Sequence, residues 1–580
     1  MFGAVESTRG WREWRISSRL EERFGPALGG LLLLAWLVRV IGIEWGGYYG
    51  DERIAFAARA LAGQIVPVDH FYPPLNNYLN AVAFGVMFVV GRLLGIYDTI
   101  SELKAQYFQD PTPFYIVART VTAFISALTA PVAALTAHLL GVRKRDALWV
   151  GFIVAFFPVN VWWAHVSKPQ MGMATGCALT YLACVAFLQA PQLRSRAVFV
   201  GLAAAFGQAY KHNAIFVIAP MLLGLIILAW RAPRLDKKTL VTQVGIASAV
   251  GLVAWSIFCI GILLDFSNFI EYQRIQGIMS DRPSGPMVFL EHQLPLLASL
   301  TGGATPFVLA GFIAVPIFDR DPRILLGWVS NVLGLVAVCS IAGDRVVPGL
   351  FLPFTLLMLI IACASFARLL GAATRRMRVA GMAGLTAFGL SCLLGSAIVT
   401  KQALAMPASK RIPATLARYA IPSSTWMLIA PQLDFVGIRR SEAARRADVA
   451  RDERLAEKYG IELPPRATER DKVIIDPRLS WNALEVPFPI HGYENVTDET
   501  AIVKPYVWPP QRDEWKVDYW LSRGVELVLV QKEWWFTTDA PTYVRDFFVE
   551  VRSRCQLLET IPQTRPLFWE EEYRLYRCEP

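Results

Sequence analysis

Two adjacent carboxylates, Asp51 and Glu52, follow the run Gly46-Gly47-Tyr48-Tyr49-Gly50 and lead through Arg53 into a helix-like stretch over 52–62. A carboxylate at the edge of an apolar phase can serve as a general base, because partial desolvation and neighbouring charge tune its proton affinity. The same position suits an N-cap, where Asp51 would accept backbone N–H bonds worth about 1 kcal/mol and Glu52 would be favoured by the helix dipole. The readings are compatible, since a capped carboxylate is also a rigidly placed one. Downstream, the prolines of His70-Phe71-Tyr72-Pro73-Pro74 fix the backbone and so hold His70 and Tyr72 in place. A lone His at such a boundary is more often a plain polar residue than a catalytic one.

Three isolated cations come later: Lys168 in His165-Val166-Ser167-Lys168-Pro169-Gln170, Lys211 in Tyr210-Lys211-His212-Asn213, and Arg345 in Gly343-Asp344-Arg345. Lys and Arg donors of this kind can hold an anionic headgroup such as a phosphate, Arg through two oxygens at once. Alternatively each simply snorkels to interfacial water. The sequence holds no HExxH, no Cys/His cluster and no outer-loop DxD, so no metal site is expected. Phosphate-loop and dinucleotide fingerprints are also missing, which argues against a soluble nucleotide as direct donor.

The elements that must position these residues follow from composition. Of 580 residues, 54% are hydrophobic and 18% charged, with a mean hydropathy of +0.39; an average soluble domain is roughly a quarter charged. This excludes a soluble enzyme, a single-anchor receptor and a disordered chain, and without regular strand alternation it disfavours an outer-membrane barrel. Apolar segments lie near 27–43, 75–95, 114–140, 147–163, 172–190, 197–209, 214–230, 241–263, 298–318, 324–341, 349–366 and 381–399. The net charge of +10 does not imply nucleic acid, because Lys and Arg collect beside cytoplasmic helix ends. No small-residue cleavage site follows the Arg-rich stretch 1–23, so the first apolar run is expected to remain a membrane helix.

Parity decides the sidedness. Twelve crossings would put the basic loops around Arg143-Lys144-Arg145, Arg194/Arg196, Arg231/Lys238 and Arg368/Arg378 outside, against the positive-inside tendency. If 75–95, which opens on Tyr72-Pro73-Pro74-Leu75, lies in the outer interface without crossing, every basic loop becomes cytoplasmic. The expectation is therefore a polytopic all-α membrane protein with about eleven transmembrane helices in the cytoplasmic membrane. Residues 1–26 would be cytoplasmic, 27–400 the membrane domain with an outer loop over 44–113, and 401–580 an extracytoplasmic (periplasmic) α/β domain. In that last region Trp426 to Ile429, Val525 to Val530 and Tyr573 to Cys578 read as strands and Thr542 to Leu558 as an amphipathic helix, while 437–515 carries no assignable pattern. Cys555 and Cys578 would pair there, in an oxidising compartment.

Taken in order, the motifs resemble the membrane glycosyltransferases of the C-type fold, within them the protein O-mannosyltransferase and aminoarabinose transferase group that uses polyprenyl-phosphate sugars. The resemblance rests on Asp51-Glu52 after the first span, Tyr72 to Leu75, Ala118-Arg119, the Lys168 to Gln170 turn, Tyr210-Lys211, and Arg345 followed by Leu352-Pro353. It covers roughly residues 25–400. It implies an inverting transfer from a polyprenyl-phosphate sugar to an acceptor hydroxyl of a protein, lipid or glycan at the outer face of the membrane. Asp51, with Glu52 beside it, would take the hydroxyl proton. Lys168, Lys211 and Arg345 would stabilise the departing lipid phosphate, with His70 and Tyr72 as hydrogen-bonding neighbours. Where many relatives carry a second carboxylate this chain has Gln170, and a neutral amide supplies no charge for a divalent cation, so no metal or other cofactor is expected. The main rival is a lipid or small-molecule transporter, which also predicts many spans with polar residues inside them. A noncatalytic scaffold, with Asp51-Glu52 only a cap, is a third reading.

Overall fold

The computed structural model describes residues 18–44, 52–67, 70–109, 111–232, 236–279, 285–288, 290–291, 295, 304–342, 348–419, 425–429, 483–485, 516–522, 525–531, 542–568, 570 and 572–579. In chain order its principal helices are α1 (Ser18–Val40), α2 (Ile54–Leu61), α3 (Leu75–Leu93), α4 (Ile100–Gln109), α5 (Thr112–Ala127), α6 (Thr129–Leu139), α7 (Lys144–Ala155), α8 (Pro158–Ala164), α9 (Gln170–Gln189), α10 (Arg194–Tyr210), α11 (Ile215–Arg231), α12 (Lys237–Phe258), α13 (Ile260–Leu264), α14 (Phe266–Met279), α15 (Ala304–Phe318), α16 (Pro322–Ala342), α17 (Pro348–Leu369), α18 (Arg375–Leu404), α19 (Ala408–Tyr419), α20 (Val517–Leu521) and α21 (Thr542–Arg554). Among the described residues, seven helices are long and apolar enough to cross a membrane, eight if the pair α7 and α8 is one broken span. The protein is thus a mostly helical, multi-pass membrane protein. The bend of 52° in that pair falls at Phe156-Phe157-Pro158, where the proline has no N–H to continue the helical ladder.

The chain forms two compact units. The first draws on Met1–Val40, Ile65–Asn76 and Thr120–Ile398. Its centre is the pair α9 and α17, each 89% buried along its apolar window. Helix α17 packs on α6, α7, α9, α15 and α16, while α10 lies between α9 and α12. The α9, α10 and α12 backbones meet at glycines. A Cβ on Gly176 would stand 2.2 Å from the Gly207 Cα, and one on Gly201 2.3 Å from the Ala247 carbonyl oxygen. Small residues allow this approach, which supplies van der Waals contact where lipid gives no hydrophobic drive. Arg39 of α1 is fully buried: its Nε donates to Ser126 Oγ at 2.8 Å and its Nη1 to the carbonyls of Ala35 (2.8 Å) and Ala155 (2.7 Å), so one guanidinium ties α1 to α5 and α7. Between α15 and α16, Asp319 and Asp321 share Arg368 of α17 at 3.3 and 2.9 Å, and Asp321 also binds Arg323 at 2.7 Å. Burial pushes the Asp319 carboxyl up; for Asp321 the cost of burial is outweighed by the hydrogen bonds and charge of Arg323, and its pKa lies below the usual carboxylate range.

The second unit comprises Ile41–Gln64, Asn77–Arg119 and Val399–Pro580. In its N-terminal part Ile54, Ala57, Phe84, Tyr97, Phe114 and Ala118 form one core. Helix α3 gives Phe84 to this core and leaves Val82, Val86, Val89 and Leu93 exposed on another face. It is not among the helices long and apolar enough to cross a membrane. In the C-terminal part, β1 (Thr425–Ile429), β2 (Ala483–Glu485), β3 (Val525–Gln531), β4 (Gln556–Ile561) and β5 (Tyr573–Arg577) make one sheet in the order β2-β1-β3-β5-β4. The pairs β2/β1 and β1/β3 are parallel, and β3/β5 and β5/β4 antiparallel. The expected helix from Thr542 to Leu558 ends at Arg554, because 556–561 leaves it to pair with β5. Its apolar side is Phe547, Phe548 and Val551, all buried.

In the β4/β5 register Gln556 faces Arg577, so Cys555 and Cys578 come opposite one another, and they are bonded with a Cα separation of 4.3 Å. The bridge closes a segment of sequence separation 23. Cys578→Ser is expected to lower the stability of this region by about 3 kcal/mol, the scale for a cross-link closing a loop of such length. Hydrogen exchange over β4 and β5 measures it, and an intact mass showing two free thiols in untreated protein would refute the pairing.

Candidate functional site

Arg119, in α5, organises the second unit around the carboxylate pair. Its Nε donates to Glu52 Oε1 at 2.8 Å and its Nη2 to Oε2 at 2.6 Å, a bidentate pair in which both side chains are almost wholly buried. Its Nη1 also donates to the Ile43 carbonyl at 3.3 Å. One guanidinium therefore grips the chain on both sides of 45–51, the segment that ends in Asp51. Asp51 itself lies outside the described residues. The next residue after Glu52 bears strain: Arg53 has φ 53° and ψ 36°, the left-handed region a non-glycine residue seldom occupies. Among the described residues it is the sole non-glycine with positive φ. Helix α2 starts only at Ile54, with Arg53 at its cap position, so the cap expected at Asp51 for a helix over 52–62 is not how α2 begins.

In the first unit, His70, Tyr72 and Lys211 come together. His70 is 3% exposed, and its Nε2 lies 2.7 Å from Asp265 Oδ2. An ionised carboxylate can only accept, so Nε2 is the donor in this hydrogen bond. Nδ1 is buried and has no hydrogen-bond partner among the described residues. Asp265 Oδ1 accepts from Asn268 Nδ2 at 2.7 Å, and Gln273 Nε2 donates to the His70 carbonyl at 3.0 Å. Phe269 packs its ring against His70 at 5.8 Å and against His212 at 5.4 Å. His70 is thus docked onto α14 and Asp265 just before it, whose side chains fix the imidazole. The neighbouring Lys211 Nζ sits 5.4 Å over the Tyr72 ring.

Lys168 lies at the same end of the helices. It precedes α9, is 5% exposed, and places its Nζ 5.8 Å over the Trp163 ring. Lys211 follows α10, and Tyr210 beside it fills the space a Cβ on Gly172 would need, at 2.1 Å. The N-terminus of α9 and the C-terminus of α10 therefore present Lys168 and Lys211 on one side. Gln170 and Trp163 both pack against Gly349; a Cβ there would stand 3.0 Å from Gln170 Cγ and 2.9 Å from Trp163 Cη2. Gln170 Oε1 and both amide atoms of Asn160 are buried without a hydrogen-bond partner among the described residues, so they are polar groups to which a hydroxylated ligand could bond. Arg345 lies outside the described residues. Among the described residues no group of three His, Cys, Asp or Glu side chains comes together.

Sequence reasoning named Arg119 only within a motif and missed Asp265 and Asn160. The signal for Asp265 was present as a carboxylate at the end of an apolar run, with no local feature to connect it to His70.

The model of the dolichyl-phosphate-mannose-protein mannosyltransferase family matches residues 72–275. Over that segment the chain is similar to glycosyltransferases that use lipid-linked sugars. The matched segment holds Tyr72, Arg119, Lys168, Lys211 and Asp265, and the resemblance read from the residues stands on it. No curated protein matches the chain significantly. Among solved structures, ArnT from Cupriavidus metallidurans bound to undecaprenyl phosphate is 13% identical, with 94% of this chain and 97% of that one covered and a TM-score of 0.47. AglB from Archaeoglobus fulgidus, in complex with an inhibitory peptide and a dolichol phosphate, is 12% identical over 89% and 70%, with a TM-score of 0.42. The Pmt1–Pmt2 protein O-mannosyltransferase complex of S. cerevisiae bound to the sugar donor is 17% identical over 42% and 34%, at 0.32.

Proposed function

We propose that this protein is an inverting glycosyltransferase that moves a sugar from a polyprenyl-phosphate donor to an acceptor hydroxyl of a protein, lipid or glycan. The observation that carries the reading is the pair of buried ammonium groups, Lys168 and Lys211, at one end of α9 and α10, within a segment matched by a lipid-linked mannosyltransferase family. Asp51 takes the acceptor's proton as its oxygen attacks the anomeric carbon, and the bond from that carbon to the phosphate oxygen breaks with inversion. A lipid phosphate leaves readily, so the remaining need is positive charge on its oxygens, supplied by Lys168, Lys211 and Arg345. Glu52, with both oxygens committed to Arg119, acts as a positioning residue for the Asp51 segment rather than as a second base. His70, held by Asp265, turns Nδ1 to hydrogen-bond a hydroxyl of the donor. No divalent metal belongs to this scheme, because position 170 holds an amide.

Membrane placement follows the same proposal. The seven or eight apolar helices, together with Phe24–Val40, α10 and α15, make about eleven crossings, with α3 in the interface, the N-terminus cytoplasmic and the sheet domain outside, in the periplasm if the cell has one. The test is release of free polyprenyl phosphate by purified protein, given a panel of polyprenyl-phosphate sugars and a crude membrane acceptor fraction. Lys211→Met is expected to weaken donor binding about 10- to 100-fold, the value of one charge-assisted hydrogen bond. Equal donor affinity in wild type and variant would remove Lys211 from the site. Lipid movement across proteoliposomes without sugar transfer would favour the transporter reading.

A further inference from the structure

A groove of about 390 Å³ opens in the first unit, lined by apolar side chains that include Leu28, Leu135 and Phe199 and rimmed by His138, Lys144 and Arg196. It lies at the end of the bundle opposite Lys168 and Lys211. Its walls are the start of α1, the ends of α6 and α9 and the starts of α7 and α10. The 20 residues of α9 separate the two ends by about 30 Å, at 1.5 Å of rise per residue. The groove is therefore no part of the candidate transfer site.

The basic groups of the rim are held in place. Lys144 Nζ stands 5.6 Å over the Phe24 ring, and that ring packs 5.3 Å from the His138 imidazole, so one aromatic holds two of the three basic groups in place. His138 Nδ1 is 3.1 Å from the Val142 carbonyl, which can only accept, leaving Nε2 as the other polar atom of the ring. Among the described residues the lining holds no carboxylate. Asp146, the one acid in the turn 140–146, pairs with Arg143 at 2.8 Å, so it is engaged elsewhere than on Lys144. Arg143, Arg145 and Arg194 add further charge in the adjoining turns.

An apolar groove with a cationic mouth, at the end of a membrane-spanning bundle, matches an anionic amphiphile in both chemistry and order. The geometry points to a binding site for one anionic phospholipid, its acyl chain against Leu28, Leu135 and Phe199 and its phosphate at Lys144 and Arg196. A zwitterionic lipid fits the apolar part equally well, but its choline repels the rim and cancels the phosphate charge. The commitment is therefore to phosphatidylglycerol-type headgroups.

Native mass spectrometry of the delipidated full chain in detergent, titrated with phosphatidylglycerol and separately with phosphatidylcholine, tests this. Wild type should retain one phosphatidylglycerol at least tenfold more tightly than phosphatidylcholine. The double variant Lys144→Gln/Arg196→Gln should lose that preference, and Arg145→Gln, outside the groove, should keep it. Leu28→Trp, which fills the groove and leaves all the charge in place, should lose retention of both lipids. This variant guards against a misfolded double variant, since it tests the site without touching the cations. Equal affinity for the two lipids in wild type, an unchanged preference in the double variant, or full retention by Leu28→Trp would each overturn the proposal. Polyprenyl phosphate displacing the bound phosphatidylglycerol with equal affinity would overturn it as well, since the groove would then be a donor-lipid site.

Discussion

Asp51→Asn is expected to reduce release of polyprenyl phosphate at least about a hundredfold, the lower end of what a positioned general base contributes, with the unfolding midpoint unchanged. The substitution keeps shape and hydrogen-bonding reach and removes only the capacity to take a proton. It also separates the base from the cap. Asn is as good an N-cap as Asp, so a capping Asp51 would tolerate Asn in both stability and turnover. The structure already weakens the cap reading from its own side, since α2 begins at Ile54 with Arg53 at the cap position. Turnover of purified wild type and variant on the same donor and acceptor, with thermal unfolding in parallel, decides the matter; equal rates would place the base elsewhere.

What was legible in the sequence is what depends on composition and local pattern. Where the structure describes them the apolar runs stand as helices, and α3, within 75–95, is not among those long and apolar enough to cross a membrane. Local backbone chemistry also marked His70, Tyr72 and Lys211, which the fold gathers. What stayed hidden are pairings across long separations. Arg119 and Glu52 are 67 residues apart, and Asp265 and His70 are 195 apart. Neither leaves a periodic trace, because a charge pair needs only two residues and its partner is set by topology. Arg39 was illegible for a related reason: its partners are mainly backbone carbonyls, which every residue has. A span charge answered by carbonyls looks the same in sequence as one that snorkels. The break at Arg554 was missed because an amphipathic helix and the strand after it share apolar residues at compatible spacings.

Arg119→Met is expected to destabilise the protein by about 3–5 kcal/mol, because it leaves Glu52 buried without its counter-charge. The cost comes mainly from the orphaned carboxylate rather than from the net worth of the pair, so removing both charges should restore much of it. The double variant Glu52→Met/Arg119→Met is accordingly expected to unfold near wild type, while Glu52→Gln, which leaves the guanidinium under-compensated, falls between. Thermal unfolding of the four proteins in one detergent gives these differences. Turnover per folded molecule then assigns the role. If Glu52 takes protons itself, Glu52→Gln and the double variant both lose turnover on the scale of Asp51→Asn. If it positions Asp51, Glu52→Gln loses far less, because the amide can still accept from Arg119 and Arg119 still holds the Ile43 carbonyl. The double variant then loses more than Glu52→Gln despite being more stable, since both grips on the chain around 45–51 are gone. A double variant that is stable and fully active would show that the clamp serves the fold alone.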